Sequence, residues 1–183
     1  MTRIVALSGS LTKPSRTRNL VDLIARQLVD RVGGESTTID VSELAPSLLG
    51  TLSFKDLPEP VRHAQSLLRS ADLIIIGSPV YKGSYSGLLK HFLDLVDPLL
   101  LSGKVALLAA TGGSDRHALV IEHQLRPLAS FFELNTVPAG VYVRDNEFTD
   151  YRLNSEAAQA RIDLALRQSL ALLPQPTRLA LAA

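Results

Sequence analysis

Short runs of apolar residues alternate along the chain with longer segments in which apolar residues recur every three to four positions. Residues 4–7 are an unbroken apolar run, which is typical of a strand covered on both faces. Leu20, Leu23, Ile24 and Leu28 then follow helical spacing up to Gly33. Further strands are predicted over 37–41, 72–76, 105–110 and 137–143. Further helices are predicted over 60–70, 88–96, 115–132 and 157–173.

Five strands alternating with five helices predict a flavodoxin-like three-layer α/β/α sandwich. Its five-stranded parallel sheet should have the order 2-1-3-4-5. The chain has 183 residues, a length that fits one domain. We expect this domain to span 1–174, with a frayed tail over 175–183. Residues 44–59 contain Pro46, Gly50 and Pro58, so we expect irregular structure there.

Composition and charge exclude several classes of function. The net charge of +1 gives no strong attraction to nucleic acid, and the absence of cysteine excludes disulfides and thiol catalysis. His117 and His123 are six residues apart, a spacing that does not favour a metal site. Ser102 and Lys104 interrupt the longest apolar region, so no membrane span is expected. No signal peptide is evident, and the expected location is cytoplasmic.

The loop after the first strand, residues 8–19, is rich in groups that bind phosphate. It leads into a helix whose N–H groups and dipole favour an anion, and it carries hydroxyls and a guanidinium. These side chains are Ser8, Ser10, Ser15, Arg16 and Thr17. The loop is neither a dinucleotide fingerprint nor a Walker A sequence. Helix capping by Ser15 or Thr17 would explain the presence of some of these hydroxyl side chains equally well.

Two further loops should leave the same edge of the sheet. Tyr81 and Tyr85 lie among glycine, serine and proline after the third strand, which suggests a surface for a planar ligand. Tyrosines that only cap the core would give the same pattern. Gly112 and Gly113 follow the fourth strand and permit close approach of a ligand to the backbone, or simply form a tight turn.

The motifs Ser8-Gly-Ser10 with Pro14-Ser-Arg-Thr17, Ser78-Pro-Val-Tyr-Lys82 with Tyr85-Ser-Gly-Leu-Leu-Lys90, and Ala110-Thr-Gly-Gly113 resemble the NAD(P)H-dependent FMN reductase family. More narrowly, they resemble the reductases that supply reduced flavin to alkanesulfonate and methanesulfonate monooxygenases. The similarity runs from about Arg3 to Tyr151. It implies that the FMN phosphate is held by Ser8, Ser10, Ser15, Arg16 and Thr17. It also implies that the isoalloxazine lies along Pro79, Val80, Tyr81, Lys82 and Tyr85, with Thr111, Gly112, Gly113 and Ser114 on its other side.

Pro127 lies inside the helical pattern of 115–132 and predicts an interruption there. Its ring clashes with the carbonyl of His123 and it supplies no N–H, so a kink or π-bulge is expected around 122–126. In some proteins that this chain resembles, an aromatic residue in the matching helix accompanies a π-helix at a subunit interface beside the flavin. Here the matching residue is His123. A kink that only fits this helix to its own sheet is the alternative.

The resemblance implies hydride transfer from NADH or NADPH to FMN, with FMNH2 passing to a partner monooxygenase. We nominate no catalytic acid or base, because the chemistry belongs to the cofactors. Backbone N–H groups of Lys82 and Gly83 are expected near flavin N5. A quinone or azo reductase and a flavodoxin-type electron carrier remain alternatives. The sequence does not distinguish NADH from NADPH, since a 2′-phosphate would meet Arg18, Arg116 or neither.

The helix predicted over 88–96 is more apolar than a surface helix needs to be. This predicts a homodimer or homotetramer that buries the excess. Its apolar residues are Leu88, Leu89, Phe92, Leu93 and Val96.

Overall fold

The computed structural model describes residues 1–173. Six segments form a parallel sheet, and two more form a separate antiparallel hairpin. The sheet strands are β1 (Arg3–Ser8), β2 (Glu35–Asp40), β3 (Leu73–Pro79), β4 (Val105–Gly112), β5 (Asn135–Thr136) and β6 (Val141–Arg144). The hairpin strands are β7 (Phe148–Thr149) and β8 (Arg152–Leu153). The tail expected over 175–183, and its boundary at 174, lie outside the described residues.

Six α-helices cover the two faces of the sheet. They are α1 (Arg16–Val32), α2 (Val41–Leu48), α3 (Glu59–Ser70), α4 (Gly87–Asp94), α5 (Arg126–Phe131) and α6 (Glu156–Leu172). Three 3₁₀ turns and one π-helical turn connect them: Pro98–Leu100, Asp115–His117 and Asp145–Glu147, and the π turn Ile121–Leu125. No helix within residues 1–173 has the length and apolar content to cross a bilayer.

Strand β1 shows how the two cores are built. Ile4 and Ala6 pack into the core shared with α1 and α6, whereas Val5 and Leu7 pack into the opposite core with α3 and α4. This alternation follows from the two-residue period of a strand, and it explains why the strand has no polar face. The three-layer flavodoxin-like arrangement is therefore confirmed.

The order of the sheet is β2-β1-β3-β4, with both β5 and β6 beside β4. The predicted continuous fifth strand over 137–143 is therefore wrong in extent. Pro138 has no N–H to donate to the ladder, and Gly140 lies so close to helix residue Ile121 that a Cβ would approach its Cγ2 to 2.6 Å. The strand breaks over these residues and resumes at Val141. The fifth position of the sheet thus holds two short segments in place of one.

Two short elements were not predicted. Helix α2 begins at Val41, the last residue of the strand predicted over 37–41, and extends into the region expected to be irregular. Asp40 caps it by accepting a hydrogen bond from Ser42 N. Burial of Val41 and Leu48 outweighs the presence of Pro46. The hairpin β7–β8 is the second missed element, and it is too short to leave a periodic signal.

The interruption predicted from Pro127 is confirmed. Ile121–Leu125 forms a π-helical turn, and Arg126 N donates to the carbonyl of Ile121, five residues earlier. The helix predicted over 115–132 is thus a 3₁₀ turn, a π turn and the short α5.

Helix α4 does not need a partner subunit to bury its apolar residues. Leu89, Phe92 and Leu93 are buried in the chain's own core, as is Val96 just after the helix, and the half-buried Leu88 packs against the same core. The sequence argument for an oligomer from this helix therefore fails.

Candidate functional site

Three loops leave the same edge of the sheet, as the strand order predicts. In the parallel register Ser8 lies beside Gly77, and Pro79 lies beside Thr111. The carboxyl ends of β1, β3 and β4 are therefore level. In open α/β sheets this edge is where ligands bind.

Hydrogen bonds fasten the first two loops to each other. Gly9 N donates to Gly77 O at 2.7 Å, and Ser86 Oγ donates to Gly9 O at 2.6 Å. Ser86 N in turn donates to Ser78 Oγ at 3.0 Å. Sequence reasoning missed Ser86, which is fully buried and also caps α4. Its position immediately before an apolar helical run is the signal that would have identified the cap.

The hydroxyls of the first loop lie at the start of α1. Ser8 and Ser10 are buried, and Ser15 is the N-cap whose Oγ accepts from Arg18 N at 3.1 Å. Capping leaves the hydroxyl proton of Ser15 available to an anion. The first turn of α1 holds no acidic side chain, so nothing there opposes the positive end of the helix dipole.

Thr17 contacts the third loop from the start of α1. Its Oγ1 lies 2.6 Å from Oγ1 of Thr111, and both side chains are buried. This pair joins the start of α1 to the end of β4. The hydroxyl of Thr17 therefore ties the first and third loops together.

The basic side chains of the first loop differ in how closely carboxylates hold them. Lys13 forms an ion pair with Glu43, and Arg18 binds Asp22 at 2.8 Å and Asp40 at 3.2 Å. The nearest carboxylate to Arg16 is that of Asp145, 3.9 Å from its guanidinium.

Arg18 forms ion pairs within the chain, so its charge has a structural role. Burial lowers the pKa of its guanidinium, but the hydrogen bonds and charges of Asp22 and Asp40 outweigh burial and raise this pKa above its ordinary value. Arg18 is therefore engaged within the chain, whereas Arg116, the other candidate for a 2′-phosphate, is exposed.

A tight two-residue turn shapes the second loop. Tyr81 and Ser84 exchange backbone hydrogen bonds of 2.9 and 3.1 Å, while Lys82 and Gly83 adopt left-handed φ values of 52° and 83°. The N–H groups of Lys82 and Gly83 take no part in these turn bonds. Tyr81 is 42% exposed, whereas Tyr85 packs against the core. Pro79 ends β3 at the same edge, and Val80 N donates to Thr111 O at 2.8 Å.

Only one of the two glycines in the third loop is required by packing. A Cβ on Gly112 would meet the Tyr142 hydroxyl at 2.4 Å, so the phenol requires a glycine there. A Cβ on Gly113 would meet only Asp145 Oδ2, at 3.8 Å, and its backbone is not left-handed. Neither packing nor conformation demands glycine at 113. The space it leaves opens onto the site edge.

Tyr142 holds the third loop in place through a hydrogen bond. Its hydroxyl donates to Ser114 O at 2.6 Å. Burial, with the carboxylates of Asp115 and Asp145, raises the pKa of the phenol above its ordinary value, so it remains a donor at neutral pH. Sequence reasoning did not nominate Tyr142, because it lies on the strand and not in a loop.

The π turn contacts the second loop directly. Ser84 Oγ donates to Oε1 of Gln124 at 3.1 Å. His123, on the same turn, is exposed, and so is Pro127. Arg126 binds Glu122 at 2.6 Å and donates to the carbonyls of Val137 and Pro138, which fastens the turn to the broken fifth strand.

These groups fit the parts of FMN. A helix N-terminus with hydroxyl donors and an exposed guanidinium suits a phosphate dianion. The open backbone at Gly113 and the exposed ring of Tyr81 belong to loops that leave the same edge of the sheet, and both suit a planar ring. Within residues 1–173, no cluster of three histidine, aspartate or glutamate side chains has metal-binding geometry.

Comparison with known proteins identifies the family. Residues 2–149 match the family model of NADPH-dependent FMN reductase. The chain is 46% identical to an NADH-dependent FMN reductase SfnF of Pseudomonas fluorescens over 91% of this chain and 89% of that protein. It is 44% identical to an FMN reductase (NADPH) of Pseudomonas aeruginosa over 91% and 90%.

A solved structure agrees with these sequence relatives. The apo form of an NADH:FMN oxidoreductase, EMOB, superposes with a TM-score of 0.84 at 30% identity, covering 96% of this chain and 92% of that one. The match of fold and of sequence over nearly the whole described chain leads to one conclusion. The chain belongs to the NADPH-dependent FMN reductase family, an oxidoreductase family that uses FMN and a nicotinamide cofactor.

Proposed function

We propose that this NAD(P)H-dependent FMN reductase binds FMN across the three loops and supplies FMNH2 to a partner monooxygenase. The observation that carries the proposal is the convergence of three features at one edge. The N-terminus of α1 presents hydroxyls and Arg16, the 81–84 turn presents two amides, and Gly113 leaves open backbone beside them.

The residues of the first loop bind and orient the phosphate. Ser8 and Ser15 offer hydroxyl donors, and Arg16 offers a charge-assisted donor. The Ser10 hydroxyl donates to the Thr12 carbonyl at 3.2 Å, so it would have to turn toward a phosphate. The Thr17 hydroxyl pairs with that of Thr111, in which either can be the donor, and it can donate to the phosphate while it accepts from Thr111. A phosphate held here extends the rest of the flavin toward the second and third loops.

The second and third loops receive the ring. Pro79, Val80, Tyr81, Lys82 and Tyr85 form one wall, and Thr111, Gly112, Gly113 and Ser114 form the other. When bound, FMN supplies the ring that accepts a hydride from the nicotinamide. The amides of Lys82 and Gly83 supply fixed donors for negative charge that develops on a bound ring. No side chain is required as an acid or base.

The choice between NADH and NADPH depends on whether an arginine can meet the 2′-phosphate of NADPH. The family description names NADPH, and the Pseudomonas fluorescens relative is named as NADH-dependent. Arg18 is held by carboxylates, so a 2′-phosphate would meet the exposed Arg116 or neither arginine. We propose a cytoplasmic location, where such donors are regenerated.

We further propose that a second copy of this chain covers an apolar cavity between α3, α4 and α5. The cavity has a volume of about 740 Å³, and the rings of Phe54 and Phe131 at its rim are 70% and 67% exposed. Apolar surface of this kind marks an interface. Sizing chromatography tests it, and a monomer at micromolar concentration would overturn it.

Anaerobic mixing of the purified protein with NADH or NADPH, with and without FMN, tests the reductase function. We expect nicotinamide oxidation and loss of flavin absorbance only when FMN is present. Oxidation that proceeds equally well with metal ions and no flavin would overturn the proposal. Adding a quinone or an azo dye as a competing acceptor separates the alternatives, since our proposal requires free FMN to be the preferred acceptor. A protein that binds FMN but never oxidises either nicotinamide would be an electron carrier.

A further inference from the structure

The turn between β7 and β8 has an unusual backbone. Phe148 pairs with Leu153 and Thr149 with Arg152, so the connecting turn consists of Asp150 and Tyr151 alone. Their φ values are 46° and 64°, both left-handed. Glycine, asparagine and aspartate are the residues favoured in such turns, so the bulky side chain of Tyr151 is the one that carries most of the strain. Strain of this kind persists where the surrounding contacts require the conformation.

The turn makes its contacts with Arg16 and with the start of α1. The guanidinium carbon of Arg16 lies 5.3 Å from the centre of the Tyr151 ring, within the range of a cation–π interaction. The carbonyl of Tyr151 accepts a hydrogen bond of 2.9 Å from Asn19 Nδ2, one turn further along α1. The turn is thus fastened to the same helix end that carries Arg16.

Asp145 holds the guanidinium from a second direction. It lies at the end of β6, only six residues before Tyr151, with Oδ1 3.9 Å from Arg16. One short segment of chain therefore contacts the guanidinium with both a carboxylate and an aromatic face. An arginine side chain restrained in this way loses less rotamer freedom when it binds an anion.

Core packing does not explain Tyr151. Phe148 and Leu153 are the hairpin side chains that pack against the core of α1 and α6. Tyr151 is 37% exposed and belongs to neither core cluster. A smaller residue or a glycine would satisfy the hairpin, with less backbone strain.

We propose that Tyr151 is a positioning residue, which holds the Arg16 guanidinium ready for the phosphate of the flavin. The inference rests on the proposed function, since it needs a phosphate at the start of α1. It adds a residue that lies two positions beyond the end of the family match, on an element that no motif of the sequence indicated.

Direct titration of FMN and of riboflavin, followed by quenching of flavin fluorescence, tests this role. Riboflavin lacks the phosphate, so a residue that acts through Arg16 changes the affinity for FMN alone. Tyr151→Leu should weaken FMN binding about two- to fivefold and leave riboflavin binding unchanged. Tyr151→Phe keeps the ring and should retain the wild-type FMN affinity. In an Arg16→Ala background, Tyr151→Leu should have no further effect on FMN.

Asp150→Gly is the matched control for the backbone. It relieves one left-handed residue without touching the ring, so it should raise the melting temperature and leave the ratio of FMN to riboflavin affinity unchanged. The positioning role is overturned if Tyr151→Leu weakens both flavins equally, or if it lowers the melting temperature with the ratio unchanged.

Failure of the proposed phosphate site gives a different pattern. In that case the wild type binds FMN and riboflavin equally, and Arg16→Ala has no effect on either. This result would overturn both proposals. A clear FMN preference that depends on Arg16 but not on Tyr151 would overturn the positioning role alone.

Discussion

Ser84 donates a hydrogen bond of 3.1 Å to Gln124, which joins the turn of the second loop to the π-helical segment. The two residues are 40 positions apart in the chain. Gln124 lies within the π turn. The extra residue of that turn therefore helps to set the direction of the Gln124 side chain. A change in the π turn that moves Gln124 would therefore disturb a hydrogen bond of the 81–84 turn.

Removal of either partner should expose this coupling. Ser84→Ala and Gln124→Met each delete the hydrogen bond with little change in volume. A double-mutant cycle on the free energy of unfolding should give a coupling of about 0.5–1.5 kcal/mol. Gln124→Glu keeps the acceptor oxygen and should retain most of it. Additive effects of the two single changes would show that the contact is not formed in solution.

The buried hydroxyl pair of Thr17 and Thr111 gives a second stability prediction. Thr17→Val keeps the shape and leaves the Thr111 hydroxyl without its partner, which should cost about 1–3 kcal/mol. The double variant with Thr111→Val removes both polar groups and should cost less than the sum of the single changes. Guanidinium denaturation measures all three. Strict additivity would mean that the 2.6 Å contact carries no energy.

Arg16 should contribute more to FMN affinity than the other basic residue of its loop. Arg16→Ala should weaken FMN binding by about 1.5–3 kcal/mol, or tenfold and somewhat more. Lys13→Ala is the matched control, since Lys13 is already paired with Glu43. It should change the affinity far less. Equal effects in FMN titrations would mean that general positive charge, not this guanidinium, holds the phosphate.

Glu147 should make stability depend on acid pH. Burial raises the pKa of its carboxyl, but hydrogen bonds from Arg144 N and Ser155 Oγ outweigh burial and lower that pKa below the ordinary 4.5. A lowered pKa in the folded state stabilises above the ordinary value, and the stability is lost as the pH falls through the lowered one. Glu147→Gln should therefore destabilise at pH 7 and converge with the wild type below pH 4.5. Thermal unfolding across pH measures the difference, and a constant difference would contradict the assignment.

Local patterns account for most of the fold and for the location of the site. The apolar runs at residues 4–7, 72–76 and 105–110 identified β1, β3 and β4, whereas the strand predicted over 37–41 overlaps β2 and runs into α2 by one residue. The strand order then brought the three loops to one edge. The effect of Pro127 was also predictable, because a proline acts on the carbonyls of its own helix. Both conclusions depend on residues within a few positions of each other.

What the sequence could not reveal are contacts between distant residues. Thr17 and Thr111 are 94 positions apart, and Asn19 and Tyr151 are 132 apart. Nothing in the local pattern of either member indicates its partner. Helix α2 and the β7–β8 hairpin were missed for a related reason, since tertiary burial and caps outweigh the turn-forming residues they contain.

The π turn itself provides the last prediction. Pro127→Ala restores an N–H and permits a regular helical ladder, so the free energy of unfolding should stay the same or rise. A regular ladder would also change the direction of Gln124 and break its contact with Ser84. We therefore expect FMN affinity, or the preference for free over bound FMN as acceptor, to change in the same variant.

His123→Ala is the control, because it removes an exposed side chain from the same turn and leaves the backbone constraint of Pro127 intact. If the kink only fits α5 to its own sheet, Pro127→Ala will alter thermal stability alone. Oligomer size, FMN affinity and turnover would then match the wild type. Sizing chromatography and FMN titration of the two variants decide between these views. A change in FMN affinity for Pro127→Ala but not for His123→Ala would locate the effect in the backbone of the π turn, since only the proline change reaches Gln124 and, through it, Ser84.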